Sequence, residues 1–130
     1  MLKFSFNKIV RDKAVAELES EGIKVSYEKM PKESLVSHLK NKLLEEAKEV
    51  FDSQSNDELA AEVADVYDVL EAICKESGID LSEVQENRTK KHSKRGGFSA
   101  GIFIHHVEVS SDSESIECFK NSPEKYPIIQ

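Results

Sequence analysis

Leu43-Leu44-Glu45-Glu46-Ala47-Lys48-Glu49-Val50 places acidic side chains on the face of a helix that ought to be apolar. At about 100° per residue, with Leu39 at zero, Leu35, Val36, Leu39, Leu43, Ala47 and Val50 fill one arc of roughly 120°. Glu46 falls inside that arc, between Leu35 and Leu39. Glu49 sits about 60° further round, and Glu45 just beyond it. The stretch Ala61-Glu62-Val63-Ala64-Asp65-Val66 repeats the pattern. With Leu59 at zero, Val63, Val66, Val69, Leu70 and Ile73 make the stripe, Glu62 projects between Val69 and Ile73, and Asp65 flanks it at about 60°. A carboxylate buried without a partner costs several kcal/mol or is driven to its neutral form. Two helices that both carry that burden are expected to share a cation.

Acids at i and i+3, Glu46 with Glu49 and Glu62 with Asp65, point the same way, so two facing helices would offer four carboxylates to one site. Hard oxygen donors with no histidine or cysteine favour magnesium, or manganese in its place, over zinc or copper. A single i, i+3 acid pair is ordinary on a charged helix; two pairs, each with its first member in an apolar arc, point to a metal site.

The rest of the chain frames these helices. At 130 residues it fits one domain, small enough for a partner subunit to complete its core. With 33% charged residues and a net charge of −7, it is expected to be soluble and to repel nucleic acid. No apolar run reaches membrane-spanning length, and Arg11 and Asp12 interrupt the N-terminus before a signal peptide develops, so a cytoplasmic location is expected. Cys74 and Cys118 lack metal or redox spacing and read as reduced thiols.

In order, the sequence predicts a short helix over about 13–21, stopped by Gly22; a half-buried strand over 23–29; a long helix over 34–52; and a turn with Asn56 as the next helix cap. The third helix should run to Ser77 and stop at Gly78, and a fourth should follow from Asp80, with Glu83 completing a capping box, to about His92. Residues 101–109 read as a second strand that could pair with the first. His105 and His106 lie in it on opposite faces, ill placed to share a metal. The domain is expected to span 1–109, followed by a polar tail, 110–130.

Arg88, Lys90, Lys91, Lys94 and Arg95 form a dense basic cluster ahead of Gly96-Gly97. It suits a phosphate ligand, and equally a helix end whose cations complement the dipole before a glycine stop.

The acidic set, read as Glu45-Glu46-x-x-Glu49, twelve intervening residues, then Glu62-x-x-Asp65, resembles the EExxE and ExxD signature of the all-α, MazG-like nucleoside triphosphate pyrophosphohydrolases. Asn7-Lys8-Ile9-Val10-Arg11-Asp12-Lys13 and Lys94-Arg95-Gly96-Gly97-Phe98 look like the flanking motifs of a house-cleaning subgroup related to phosphoribosyl-ATP pyrophosphohydrolase. The likeness covers about residues 5–105. The chain departs from the subgroup at Ala14-Val15, where an Ile-Pro pair is common, and in the tail from Ser110.

The resemblance implies a mainly α fold, a MazG-like bundle of about four helices with a core completed in a homodimer or higher homo-oligomer; the two-stranded β element read from alternation would lie beside it. It implies Glu46, Glu49, Glu62 and Asp65 as magnesium ligands, with Glu45 and Glu46 as catalytic residues. Lys8, Arg11, Asn87, Lys90, Lys94 and Arg95 are the expected contacts to substrate phosphates. The reaction implied is cleavage of a nucleoside triphosphate to the monophosphate and pyrophosphate. Two other readings stand beside it: phosphoribosyl-ATP hydrolysis, and a non-catalytic helical module that binds a partner protein.

Overall fold

The computed structural model describes residues 1–130, which divide into two compact units, Met1–Lys94 and Arg95–Gln130. Five helices form: α1 (Ala14–Ser20), α2 (Lys32–Asp52), α3 (Asn56–Glu76), α4 (Leu81–Arg95) and α5 (Ile116–Lys120). The fold is mainly α, as the periodicity predicts.

The first unit is built on the α2–α3 hairpin, the one extensive helix pairing. Pro31 precedes α2, where its fixed φ suits a helix entry, and three residues, Ser53 to Ser55, turn the chain into α3. Ser55, rather than Asn56, is the cap: its hydroxyl accepts from the Glu58 N–H at 3.1 Å, while the Glu58 carboxylate accepts from the Gln54 N–H at 2.9 Å. Two orphan donors are thereby satisfied, a variant of the capping box displaced by one residue.

The expected glycine stops are observed. After α3, Gly78 takes φ +69°, its N–H donates to the Lys75 carbonyl, and the Ile79 N–H reaches the Cys74 carbonyl at 2.8 Å. Gly22 does the same after α1, with φ +81° and the Ile23 N–H bonded to the Leu18 carbonyl. Both are Schellman closures, which need a left-handed residue that glycine supplies without a Cβ penalty. At α4 the Glu83 N–H bonds the Asp80 backbone carbonyl, so the turn is closed by main chain in place of the expected capping box.

Leu39 and Val69 are the buried apolar side chains of the hairpin, and Leu35, Val36, Leu43, Val63, Val66 and Ile73 are half-buried around them. Glu46 is buried among them at 8% exposure, as its place in the apolar arc implies.

The expected two-stranded element does not form: residues 23–29 and 101–109 contain no strand. Alternation describes a segment with two unlike faces, but a strand also needs a partner and a face to bury, and a lone two-stranded ribbon is marginal in water. Neither segment has such a face, for Ile23, Tyr27, Ile102, Phe103, Ile104 and Val107 are exposed.

In the second unit, α5 carries Phe119, whose ring packs edge-on against Tyr126 at 5.1 Å. His105 meets Phe103 edge-on at 5.2 Å. Both cysteines are free thiols. No helix of the protein is long and apolar enough to cross a membrane.

Candidate active site

Glu46 stands eight residues before Gln54, the middle of the α2–α3 turn, and Glu62 eight residues after it. In an antiparallel helix pair, residues equally far from the turn lie level, because each helix rises about 1.5 Å per residue. The two carboxylates therefore face each other, and Asp65, one turn along α3 from Glu62, joins them. Oxygen atoms of Glu46, Glu62 and Asp65 all lie within 4.8 Å of one another. Glu49 is exposed and outside this trio, yet its charge, with those of Asp65 and Glu46, reaches Glu62. Desolvation first, then these like charges, raises the Glu62 pKa above the ordinary glutamate value.

The counter-charges come from the N-terminal block and from α2 itself. The Lys8 ammonium donates to Glu45 at 2.7 Å, and this bond is the main cause of a lowered Glu45 pKa. Arg11 forks between Asp65 at 2.6 Å and Asp68 at 2.7 Å, and these bonds raise its own pKa. Lys42, one helical turn before Glu46, lies 3.3 Å from both Glu45 and Glu46. Six carboxylates (Glu45, Glu46, Glu49, Glu62, Asp65 and Asp68) thus meet three cations, leaving an excess of three negative charges. An all-oxygen donor set with residual negative charge fits a hard divalent cation.

The site opens into a cleft of about 590 Å³ whose walls include Lys8, Arg11, Lys13, Lys42, Glu46 and Asp65. Lys8 and Arg11, two of the residues assigned to phosphate from the sequence, therefore stand at the acids. Asn87, Lys90 and Lys94 do not line this cleft and make no ion pair with an acid; the Asn87 amide donates to the Glu83 carbonyl within α4. Arg95 is the first residue of the second unit.

Lys13, Lys42 and Asp68 were missed by the sequence reading. Lys42 and Asp68 carried a usable signal, being four residues before Glu46 and three after Asp65, on the same helix faces.

Comparison with protein families matches phosphoribosyl-ATP pyrophosphohydrolase over residues 15–92. Comparisons with curated proteins and with solved structures give no match. The family match spans α2, α3 and the three clustered acids.

Proposed function

We propose, since the chain belongs to the phosphoribosyl-ATP pyrophosphohydrolase family, that it is a magnesium-dependent nucleoside triphosphate pyrophosphohydrolase, releasing a monophosphate and pyrophosphate. The observation that carries this reading is the convergence of Glu46, Glu62 and Asp65 beside a cleft to which Lys8, Arg11, Lys13 and Lys42 contribute alongside Asp12 and Glu17. Glu46, Glu62 and Asp65, with Glu49 at the edge, would hold magnesium, or manganese in its place. Held there, the ion would supply neutralisation of phosphate charge and a more acidic water.

The chain's own residues supply the rest. Lys8, Arg11, Lys13 and Lys42 bind the polyphosphate and stabilise charge on the departing pyrophosphate. Arg11, forked between Asp65 and Asp68, would turn to a phosphate oxygen, with Asp68 keeping the guanidinium at the cleft. Glu45, held ionised by Lys8, accepts a hydrogen bond from the attacking water and orients it beside Glu46. Asn87, Lys90 and Lys94 of α4 would serve as outer phosphate contacts. Residues 1–109 act as the catalytic domain and 110–130 as its polar tail, in the cytoplasm.

The active form is a homodimer or higher homo-oligomer. Leu44, Phe51 and Tyr67 of the hairpin are largely uncovered. Sedimentation should therefore give a multiple of 14.7 kDa.

The family match also favours a second reading, phosphoribosyl-ATP as the substrate. Incubation with magnesium and a panel of canonical and modified nucleoside triphosphates plus phosphoribosyl-ATP, with products separated by chromatography, tests both. Monophosphate and pyrophosphate, lost on chelation, are expected from the triphosphates. Turnover of phosphoribosyl-ATP alone selects the second reading, and turnover of nothing favours a non-catalytic interaction module.

A further inference from the structure

A second cavity, of about 340 Å³, adjoins the acidic cleft. One wall is a single face of α2: His38, Asn41, Lys42 and Glu45 recur at i, i+3, i+4 and i+7. Phe6, Asn7 and Lys8 close the other side. The two cavities share Phe6, Lys8 and Lys42 as walls, so they are neighbouring compartments. Along the α2 face the chemistry changes in order, from an imidazole and an amide, through an ammonium, to carboxylates. His38 and Glu45 are seven residues apart, about 10.5 Å along the helix axis. That is the scale on which a nucleotide passes from base through sugar to phosphates.

The N-terminal wall is shaped to match. The Phe6 side chain is more than half exposed, and the Lys8 ammonium sits 5.3 Å from its ring centroid. Asn7 adopts φ +46°, a left-handed conformation uncommon outside glycine, and its amide donates to the Ser5 hydroxyl at 2.9 Å. The turn sets Phe6 on one side of Asn7 and Lys8 on the other, both lining the same cavity.

We propose that this cavity is a nucleobase subsite, with Phe6 stacking on the base and Asn41 and His38 reading its polar edge; the inference rests on the nucleotide reading above. An aromatic ring accepts any base, because every base has a π-face. An amide offers a donor beside an acceptor, so Asn41 selects among bases by the pattern on their edges. Phe6 supplies affinity and Asn41 discrimination.

The test is calorimetric titration of the full chain, with magnesium, by the α,β-methylene analogues of ATP, GTP, CTP and UTP and by inorganic tripolyphosphate. Phe6→Ala and Asn41→Ala follow, with helicity checked by circular dichroism; both side chains are exposed, so the fold should persist. The wild type should bind at least one nucleotide roughly tenfold or more tighter than tripolyphosphate. Phe6→Ala should remove most of that margin, read against the variant's own tripolyphosphate affinity, while Asn41→Ala should level the differences among bases. Equal wild-type affinity for tripolyphosphate and every nucleotide overturns the subsite, as does a nucleotide preference intact in both variants. Turnover of the unmodified triphosphates separates the two ideas. Base preference without hydrolysis refutes the enzyme and keeps the subsite; hydrolysis without base preference does the reverse; no nucleotide binding refutes both.

Discussion

Replacing Arg11 with alanine should have opposite effects on the two ligands of the site. In the cation-free protein the guanidinium holds Asp65 at 2.6 Å and Asp68 at 2.7 Å. A divalent ion held by Asp65 would compete with the first of these contacts. Arg11 is 62% exposed, so solvent screening limits the fork to about 1 kcal/mol. Its removal should tighten cation binding roughly fivefold, since 1.4 kcal/mol corresponds to tenfold. With a triphosphate present, the same variant loses a charge-assisted bond to phosphate, about 1.5–3 kcal/mol, and should bind roughly tenfold to a hundredfold more weakly. Titration with Mn²⁺ followed by electron paramagnetic resonance, with and without a non-hydrolysable triphosphate, reads both. Cation affinity that is unchanged or weaker in Arg11→Ala without nucleotide would show that Arg11 does not compete for Asp65.

Glu46→Gln and Glu62→Gln should each abolish divalent-cation binding and lower turnover by at least about a hundredfold, more than loss of an outer-shell partner costs; circular dichroism should show α2 and α3 intact, and full activity in either variant would remove both from the site. The pH response has two limbs. Because the Glu62 pKa is raised, the folded state binds its proton more tightly than the unfolded state, so cation-free stability should fall as pH rises from the ordinary glutamate range through the raised value. The lowered Glu45 pKa acts oppositely: the stability from its Lys8 bond is present above the ordinary value and lost as pH falls through the depressed one. Urea melts across the acid range should resolve both, and saturating magnesium should suppress the Glu62 limb. Ser55→Ala should destabilise the protein by about 1 kcal/mol through loss of the α3 cap, visible as a lower urea midpoint at unchanged slope.

What the sequence revealed follows from the range of the forces involved. Helices α2 and α3 were legible because burial imposes a helical period on the apolar residues, and Glu46 was legible because it breaks that period at one position. Gly22 and Gly78 were legible because a left-handed helix stop is a local backbone demand. The failed strands show the limit of the same logic, since alternation over 23–29 is local but pairing is a long-range event. The lining of the cleft was only partly legible for a related reason. Charge density drew attention to α4, whereas Lys13 reaches the cleft through a fold in which the N-terminal block meets the hairpin, and no local pattern records that meeting.

The residues of α3 ahead of Glu62 touch no proposed ligand, yet they act as the gauge of the site. Glu46 and Glu62 stand level across the short turn from Ser53 to Ser55, each eight residues from its middle. A residue added to the turn is taken up by its free dihedrals, whereas one added inside α3 before Glu62 would swing Glu62 and Asp65 by about 100° and slide them by about 1.5 Å past the apolar stripe, turning both away from Glu46 together. The opening of α3, from Ser55 to Glu62, is thus bound to the chemistry as tightly as the carboxylates, through the phase of a helix.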